Sequence, residues 1–330
     1  MYEQWGILKK KASGSAKGAL IAAGGDGREW HASIEASRDC QDHRGKVMFI
    51  DSCYIGKGGR RNIGTDGEDS FAVERIRSAG LTFYRNEAWS ELRHGIFTRH
   101  GGVSKSPWHS LNLGASIGDD LEAVRENHAR VYRAADVDGG RAVSCWLVHS
   151  VDTLVVDENS GRNGNLRRAD AIISDQPDTA LVMRFADCVP LLYYDRSKRV
   201  VGLGHAGWRG TVKGMAAKVA RMMQKTFNCE AADIEVLMGP AISRRNYRVG
   251  EEVASQAVAY FGEGADVIWR DPADGSPYLD LWRANRRDLE RCGITKIKVL
   301  DICTYDNTDD FYSHRAENGA TGRFGVVILL

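Results

Sequence analysis

Residues 186–211 read ADCVPLLYYDRSKRVVGLGHAGWRGT and combine two apolar runs with a cysteine, a histidine and an arginine. The apolar runs predict two strands joined by a short turn, one beginning near Pro190 and the other covering residues 199–204. Cys188 precedes the first strand and His205 follows the second. Neighbouring strand ends in a hairpin lie side by side, so this fold would bring a thiol close to an imidazole.

The glycine-rich turn at residues 206–210 carries Arg209 and leads into a helix predicted to begin at Thr211. Free backbone N–H groups and the helix dipole favour an anion at such a position. A guanidinium binds phosphate through two parallel hydrogen bonds. The alternative for Arg209 is a surface ion pair with a carboxylate. We favour the anion site because Gly207 and Gly210 permit close approach of the backbone.

From residue 83 onward, strand and helix patterns interleave, and hairpin-like strand pairs are frequent. This arrangement predicts an α+β fold with a mixed sheet and flanking helices. No repeat or linker divides the region, so residues 81–330 are predicted to be a single catalytic domain, with the very apolar residues 324–330 as a central strand. The other predicted strands cover residues 96–99, 143–148, 153–156, 169–174, 179–185, 234–238 and 296–300, and the other predicted helices cover residues 119–134, 251–261 and 281–292.

Residues 1–80 have no clear hydrophobic periodicity. Gly-rich pieces, such as residues 24–27 and 56–61, alternate there with mixed charges. This composition predicts a flexible extension of unknown role. Cys40, His43 and Cys53 lack a fourth metal-binding partner, so we assign no function to this segment.

Composition excludes several classes of partner. The 330 residues carry 45 basic and 44 acidic side chains, and this balance predicts no attraction to nucleic acid or to anionic membranes. No apolar run approaches the ~20 residues that span a bilayer. The seven cysteines are dispersed, which is typical of reduced thiols and not of a disulfide framework. We therefore expect a cytoplasmic protein. The sequence does not indicate an oligomeric state.

Three residues are candidates for one chemical site. His149 closes a predicted strand, as His205 does, and the two histidines with Cys188 form a possible three-ligand set. Catalytic zinc commonly takes three protein ligands and lowers the pKa of bound water to about 7. The same donors also suit copper. Alternatively, Cys188 is a nucleophile, with a histidine as its base and Asp187 orienting that base. The residues alone leave these alternatives open.

The motifs of this region also form a recognisable set. ADCVPLL (186–192) and HAGWRGT (205–211) closely resemble the signature of the multicopper polyphenol oxidoreductase, or laccase-domain, family. The family includes bacterial YfiH-type proteins described as purine nucleoside phosphorylases with adenosine deaminase activity. The resemblance covers about residues 83–330. The further matching segments are TRHGGVS (98–104), SLNLG (110–114), ADAI (169–172), GPAI (239–242) and TGR (321–323).

The resemblance implies a sandwich fold and one catalytic metal, zinc or alternatively copper, held by His149, Cys188 and His205. It also implies phosphorolysis of adenosine, inosine and methylthioadenosine to the base and a ribose 1-phosphate or methylthioribose 1-phosphate, with deamination of adenosine to inosine. Arg209 would then hold phosphate, and Asp187 would orient a ligand or accept a proton. Arg99 and Asn112 lie in matching motifs, which suggests that they contact the substrate.

Two positions depart from the family pattern. Leu147 stands where the family usually has Gln, and Arg248 stands where it usually has an acidic residue. Neither position is a metal ligand, so both departures bear on substrate preference and rate. A laccase-like oxidation of polyphenols is the alternative that the older family name implies. The sequence contains no His-x-His pair for a multicopper cluster.

Overall fold

The computed structural model describes residues 20–23, 29–32, 73–157 and 167–330. The chain divides into two compact units, Met1–Asp66 and Gly67–Leu330. In the smaller unit, strands β1 (Leu20–Ala23) and β2 (Glu29–Ala32) form an antiparallel pair. The structure does not describe the Gly-rich pieces at residues 24–27 and 56–61, nor Cys40, His43 and Cys53.

The larger unit contains fourteen of the named strands and all five α-helices of the described residues. The strands are β3 (Val73–Ser78), β4 (Leu81–Asn86), β5 (Arg93–Phe97), β6 (Ala142–Val143), β7 (Thr153–Val156), β8 (Ala171–Ser174), β9 (Ala180–Phe185), β10 (Val189–Asp195), β11 (Val200–Ala206), β12 (Ile234–Met238), β13 (Ile268–Arg270), β14 (Pro277–Leu279), β15 (Lys296–Val299) and β16 (Phe324–Leu329). The helices are α1 (Leu121–Ala134), α2 (Trp208–Thr211), α3 (Met215–Phe227), α4 (Glu251–Phe261) and α5 (Leu281–Arg291).

Two six-stranded sheets form the centre of this unit. Sheet 1 has the order β3-β4-β5-β16-β9-β6, and sheet 2 has the order β15-β12-β10-β11-β8-β7. Both sheets are mixed, because β6 pairs parallel with β9 and β12 pairs parallel with β15, while their other neighbours include antiparallel pairs. The mixed α+β architecture expected from the sequence is confirmed.

Three hydrophobic clusters hold the layers together. The middle cluster lies between the sheets and joins Met183 and Val326 of sheet 1 to Leu192 and Val201 of sheet 2. A second cluster packs α3, α4 and α5 on sheet 2, and a third packs α1 on sheet 1. Every residue of β16 is buried at the centre of sheet 1, as its apolar sequence predicts.

The central hairpin forms as predicted, with small differences in its bounds. β10 pairs antiparallel with β11, and Pro190 lies opposite His205. The helix expected from Thr211 is instead two helices, because Gly214 adopts a left-handed conformation between α2 and α3. Met215 and Val219 of α3 are buried in the core, so the apolar stripe of this segment packs as expected.

Two other expectations differ from the structure. The strand expected over residues 143–148 is limited to β6 and an isolated bridge between Trp146 and Arg168. At residues 148–150 the backbone N–H groups donate to the Asp170 carboxylate instead of to a neighbouring strand. The boundary expected between residues 80 and 81 falls inside the β3–β4 hairpin, so the larger unit begins before residue 81. The two apolar residues of β3, Val73 and Ile76, are three positions apart, so this edge strand lacks the alternation that predicts a half-buried strand. Among the described helices, none has the length and apolar character needed to cross a bilayer.

Candidate metal centre

Three side chains from distant parts of the chain meet at one end of the two sheets. His149 lies in the loop after β6, Cys188 directly precedes β10, and His205 lies near the end of β11. One donor atom from each residue lies within 4.8 Å of the other two. Within the described residues, no other group of three or more His, Cys, Asp or Glu side chains has this proximity.

The backbone around these residues leaves room for an ion. Gly207 follows β11, and a Cβ atom built on it would lie 2.8 Å from Cys188 Sγ and 3.2 Å from His149 Nδ1. Any larger residue would therefore occupy the space between the thiol and the imidazole. One thiolate and two imidazoles are a donor set that zinc and copper both accept. The residues therefore fit a single metal ion.

Asp170 organises two of the three ligands, and sequence reasoning did not identify it as a site residue. Its fully buried carboxylate accepts hydrogen bonds from the backbone N–H groups of Val148, His149 and Ser150, at 3.1, 3.0 and 2.7 Å. The same carboxylate lies 3.0 Å from His205 Nδ1. This contact directs His205 Nε2 toward the other ligands, as carboxylates commonly do for metal-binding histidines. The signal in sequence was an acidic residue within the matching ADAI segment, directly before the buried strand β8.

The electrostatics of the two histidines differ. Burial lowers the pKa of His205, but the Cys188 thiolate and the Asp170 carboxylate outweigh it and raise that pKa to about 9. Burial and the nearby His205 lower the pKa of His149. The site therefore stabilises one positive charge beside Cys188 and Asp170, which a divalent ion would supply as well as a proton does.

A pocket of about 530 Å³ opens onto the three ligands. This volume is in the range of small-molecule sites. Its wall carries four arginines, namely Arg184, Arg209, Arg315 and Arg323. Its aromatic lining consists of Trp146, Trp208 and Tyr247. The pocket thus combines a cationic lining with ring surfaces, beside the candidate metal centre.

Asp187 lines the pocket, and each of its two carboxylate oxygens accepts a hydrogen bond. Thr304 Oγ1 donates to one carboxylate oxygen at 2.7 Å, and the backbone N–H of Arg315 donates to the other at 2.7 Å. Its backbone carbonyl also accepts from Ile242 N at 3.0 Å. Asp187 therefore fixes the segment that contains Arg315 next to Cys188.

Arg209 lines the pocket at an exposed position. It is the second residue of α2, and its guanidinium lies 4.3 Å from the ring centre of Trp208. Because α2 has only four residues, Arg209 does not stand before a long helix as the sequence suggested. The expected surface ion pair is absent too, since Arg209 has no carboxylate partner among the described residues.

Arg99 and Asn112 do not line this pocket. Arg99 donates to Thr308 O at 2.8 Å and pairs with Glu317 at 3.1 Å. Asn112 is fully buried, and its Oδ1 accepts hydrogen bonds from the backbone N–H groups of Gly114 and Arg323, both at 2.8 Å. Both residues thus hold loops, and Asn112 holds two residues that do line the pocket.

The two departures from the family pattern have different surroundings. Leu147 lines the pocket beside the ligand loop. Arg248 lies on the surface, 3.5 Å from Asp274, and its carbonyl accepts a hydrogen bond from Arg315. Leu147 is therefore placed to contact a ligand, while Arg248 contacts the pocket only through Arg315.

The chain is similar to proteins of a known family. The family described as "Multi-copper polyphenol oxidoreductase laccase" matches residues 93–330. Purine nucleoside phosphorylase YlmD of Geobacillus stearothermophilus is 35% identical over 237 residues, which cover 69% of this chain and 86% of YlmD. Purine nucleoside phosphorylase YfiH of Escherichia coli is 34% identical over 239 residues, which cover 71% of this chain and 91% of YfiH.

Solved structures show the same relationship. The crystal structure of Bacillus licheniformis hypothetical protein YfiH superposes with a TM-score of 0.73 at 30% identity, covering 77% of this chain and 97% of that one. The crystal structure of YlmD from Geobacillus stearothermophilus gives a TM-score of 0.72 at 32% identity, covering 79% of this chain and 98% of that one. The chain therefore belongs to the multi-copper polyphenol oxidoreductase laccase family, the family of the YfiH and YlmD proteins.

Proposed function

We propose that this chain is a zinc-dependent purine nucleoside phosphorylase that also deaminates adenosine to inosine. Its substrates would be adenosine, inosine and methylthioadenosine, together with phosphate. The observation that carries the proposal is the convergence of His149, Cys188 and His205 beside a pocket lined by four arginines. The names of the YlmD and YfiH relatives support the same reaction class.

The lining of the pocket suits the two reactants of phosphorolysis. A phosphate oxygen forms a bond to C1′ of the ribose while the bond from C1′ to the base nitrogen breaks. The base leaves with the electron pair, and it gains the proton that phosphate loses. The arginines provide donors for the anionic reactant, and the rings of Trp146 and Trp208 provide surfaces on which a purine can stack.

Each site residue has a role within this proposal. His149, Cys188 and His205 hold the zinc ion, which when bound supplies Lewis-acid chemistry and makes water a stronger nucleophile near neutral pH. Asp187 keeps Arg315 against the pocket through its hydrogen bond to the Arg315 backbone.

We propose that the arginines of the pocket contact the substrates. Arg209 presents its guanidinium at the exposed part of the pocket, where it meets the anionic reactant. Direct substrate contacts by Arg99 and Asn112 stay predictions, and a cytoplasmic location also stays a prediction.

The test combines metal analysis with identification of products. Purified protein should contain about one zinc per chain. Adenosine should give adenine only when phosphate is present, and inosine in its absence. A chelator should abolish both activities, and added zinc should restore them. Full activity after complete removal of metal would contradict the proposal and favour Cys188 as a nucleophile.

A copper-dependent oxidation of polyphenols is the second candidate. The two-histidine, one-cysteine donor set favours it, because copper accepts the same ligands. The arginine lining does not, since neutral phenols need no cluster of guanidinium groups. Protein reconstituted with copper and supplied with oxygen should therefore leave a phenolic substrate unoxidised. Rapid oxidation that depends on Cys188 would favour this candidate instead.

A further inference from the structure

Two of the pocket arginines come from neighbouring strands of sheet 1. Arg184 belongs to β9, where it pairs with Gly325 of β16, and Arg323 directly precedes β16. Arg323 is two residues from Gly325, so in the antiparallel pairing its side chain shares the face of sheet 1 with Arg184. Both side chains line the pocket. Sheet 1 thus contributes two arginines to the lining of the pocket.

Neither guanidinium has a carboxylate partner within the described residues. Arg184 donates to Ser144 Oγ at 3.1 Å and to Cys145 O at 2.8 Å. Arg323 donates through Nη1 to Thr321 O at 3.1 Å and to Gly322 O at 2.7 Å. These neutral oxygens fix the orientation of each group without neutralising its charge. By contrast, Arg99 nearby pairs directly with Glu317.

The charges of this pair are poorly compensated. Burial lowers the pKa of both guanidinium groups, because it disfavours the charged form. Coulombic interactions with Cys188, Asp187 and Glu317 partly offset this effect at Arg323, and a metal ion bound to Cys188 would weaken the first of them. Two partly buried cations that form no ion pair with a carboxylate are costly unless a ligand supplies the negative charge.

The loop that contains Asn112 and Gly114 holds the backbone and the side-chain stem of Arg323. Asn112 Oδ1 accepts the backbone N–H of Arg323 and that of Gly114. A Cβ atom on Gly114 would lie 2.9 Å from Arg323 Cγ, so the loop packs directly against the arginine stem. This close packing orders the side chain before any ligand arrives, which lowers the entropic cost of binding.

We propose that Arg184 and Arg323 form the subsite that binds inorganic phosphate. The inference deepens the proposed phosphorolysis and rests on it for the role of the anion. Two forked guanidinium groups that line one pocket match a tetrahedral oxyanion, which accepts several charge-assisted hydrogen bonds at once. Arg209, exposed on α2 at the end of sheet 2, is then an outer contact and not the main phosphate ligand.

The test measures phosphate binding directly, by calorimetric titration of the purified full-length protein with inorganic phosphate. Arg323→Met and Arg184→Met should each weaken binding by about 10- to 100-fold, the loss expected for a hydrogen bond to a charged group. Arg323→Lys keeps a charge but loses the fork, so its loss should be smaller. Arg287→Met is the control, because Arg287 pairs with Glu290 on the exposed face of α5 and should bind phosphate as the unmodified protein does.

Kinetics and folding distinguish the possible outcomes. In phosphorolysis, the KM for phosphate should rise in the Arg323 variants while the KM for the nucleoside stays within about twofold, provided thermal unfolding shows that the variants are folded. Unchanged phosphate binding in folded Arg184 and Arg323 variants would overturn the inference, as would a loss confined to Arg209→Met. Phosphate binding that depends on Arg323 in a protein without phosphorylase activity would keep the subsite and refute the proposed function.

Discussion

At the scale of single residues, the Asp170 carboxylate connects the loop of His149 to the strand of His205. Asp170→Asn keeps the size of the side chain but places an amide NH₂ near backbone N–H donors. We expect its metal affinity to fall by about 10- to 100-fold, the usual effect of losing the carboxylate behind a histidine ligand. Competition with a chromophoric chelator measures this. Asp136→Asn, at an almost fully exposed carboxylate, should leave the affinity unchanged. Equal affinity in the two variants would show that Asp170 does not orient His205.

Gly207 offers a second test of the candidate metal centre, in which a larger side chain fills space beside the ligands and no charge changes. In Gly207→Ala the added methyl would lie 2.8 Å from Cys188 Sγ, so either the thiol or the loop must move. We expect the variant to fold but to purify with much less than one zinc per chain, as measured by elemental analysis. Gly250→Ala is the matched control, because a Cβ atom there meets nothing within 4 Å. Full zinc content in Gly207→Ala would refute the proposed ligand geometry.

Sequence patterns pointed to the three residues that meet in the structure better than to the residues that surround them. His149, Cys188 and His205 were recognisable because strand ends and motifs mark them. Arg184 has no such local signal, and the motifs that contain Asp170 and Arg323 do not indicate their roles, which come from contacts with residues distant in sequence or from the pairing of β9 with β16. Arg99 and Asn112 occupy equally distinctive motifs, yet their contacts hold loops. A motif therefore indicates that a residue is constrained, without saying whether a ligand or another part of the fold constrains it.

At the scale of elements, the start of α3 depends on a residue from another helix. Gly214 provides no side-chain cap, and the buried Asp288 of α5 instead accepts a hydrogen bond from Ala217 N at 2.8 Å. Asp288 also accepts one from the Tyr260 hydroxyl at 2.9 Å. The division into α2 and α3 could not be predicted, because the apolar residues of this segment keep helical spacing across the break and the cap is remote in sequence.

Asp288→Ala tests whether these two hydrogen bonds stabilise the start of α3. The change leaves two buried donors without an acceptor, so the free energy of unfolding should fall by about 2 to 4 kcal/mol. Urea denaturation followed by circular dichroism measures the loss. Asp233→Ala, at an exposed position before β12, is the control and should change stability by less than about 0.5 kcal/mol. If the two variants were equally stable, α3 would not depend on α5 for its first turn.

At the scale of the whole molecule, hydropathy indicated the class of fold and the burial of β16, but not the order of the strands. β16 pairs with β5 and β9, which lie more than 130 residues earlier in the chain. Such pairings depend on how the two sheets close around the middle cluster, and no local pattern encodes them. The candidate metal centre shares this dependence, because His149 and Cys188 lie in connections that run from sheet 1 to sheet 2, while His205 belongs to sheet 2.

Two histidines packed inside the fold give the whole molecule a predicted pH dependence. Burial lowers the pKa of His94 and of His128 to about 4. His94 Nε2 accepts the backbone N–H of Asn86 at 2.8 Å, so this ring is neutral in the folded protein. In the unfolded chain these two histidines gain a proton near pH 6.5, whereas in the folded protein they do so only near pH 4. The contribution of the two neutral rings to the free energy of unfolding is therefore fully present above pH 6.5 and is lost as the pH falls toward 4.

His94→Gln isolates this effect from the titration of carboxylates and of the metal centre, which are the same in both proteins. Between pH 7.5 and pH 5, the unmodified protein should lose about 2 kcal/mol more unfolding free energy than the variant, because only its unfolded state gains a proton at residue 94. Urea denaturation at a series of pH values gives the difference. Parallel pH profiles for the unmodified protein and His94→Gln would mean that the buried His94 ring gains a proton as easily in the folded state as in the unfolded one.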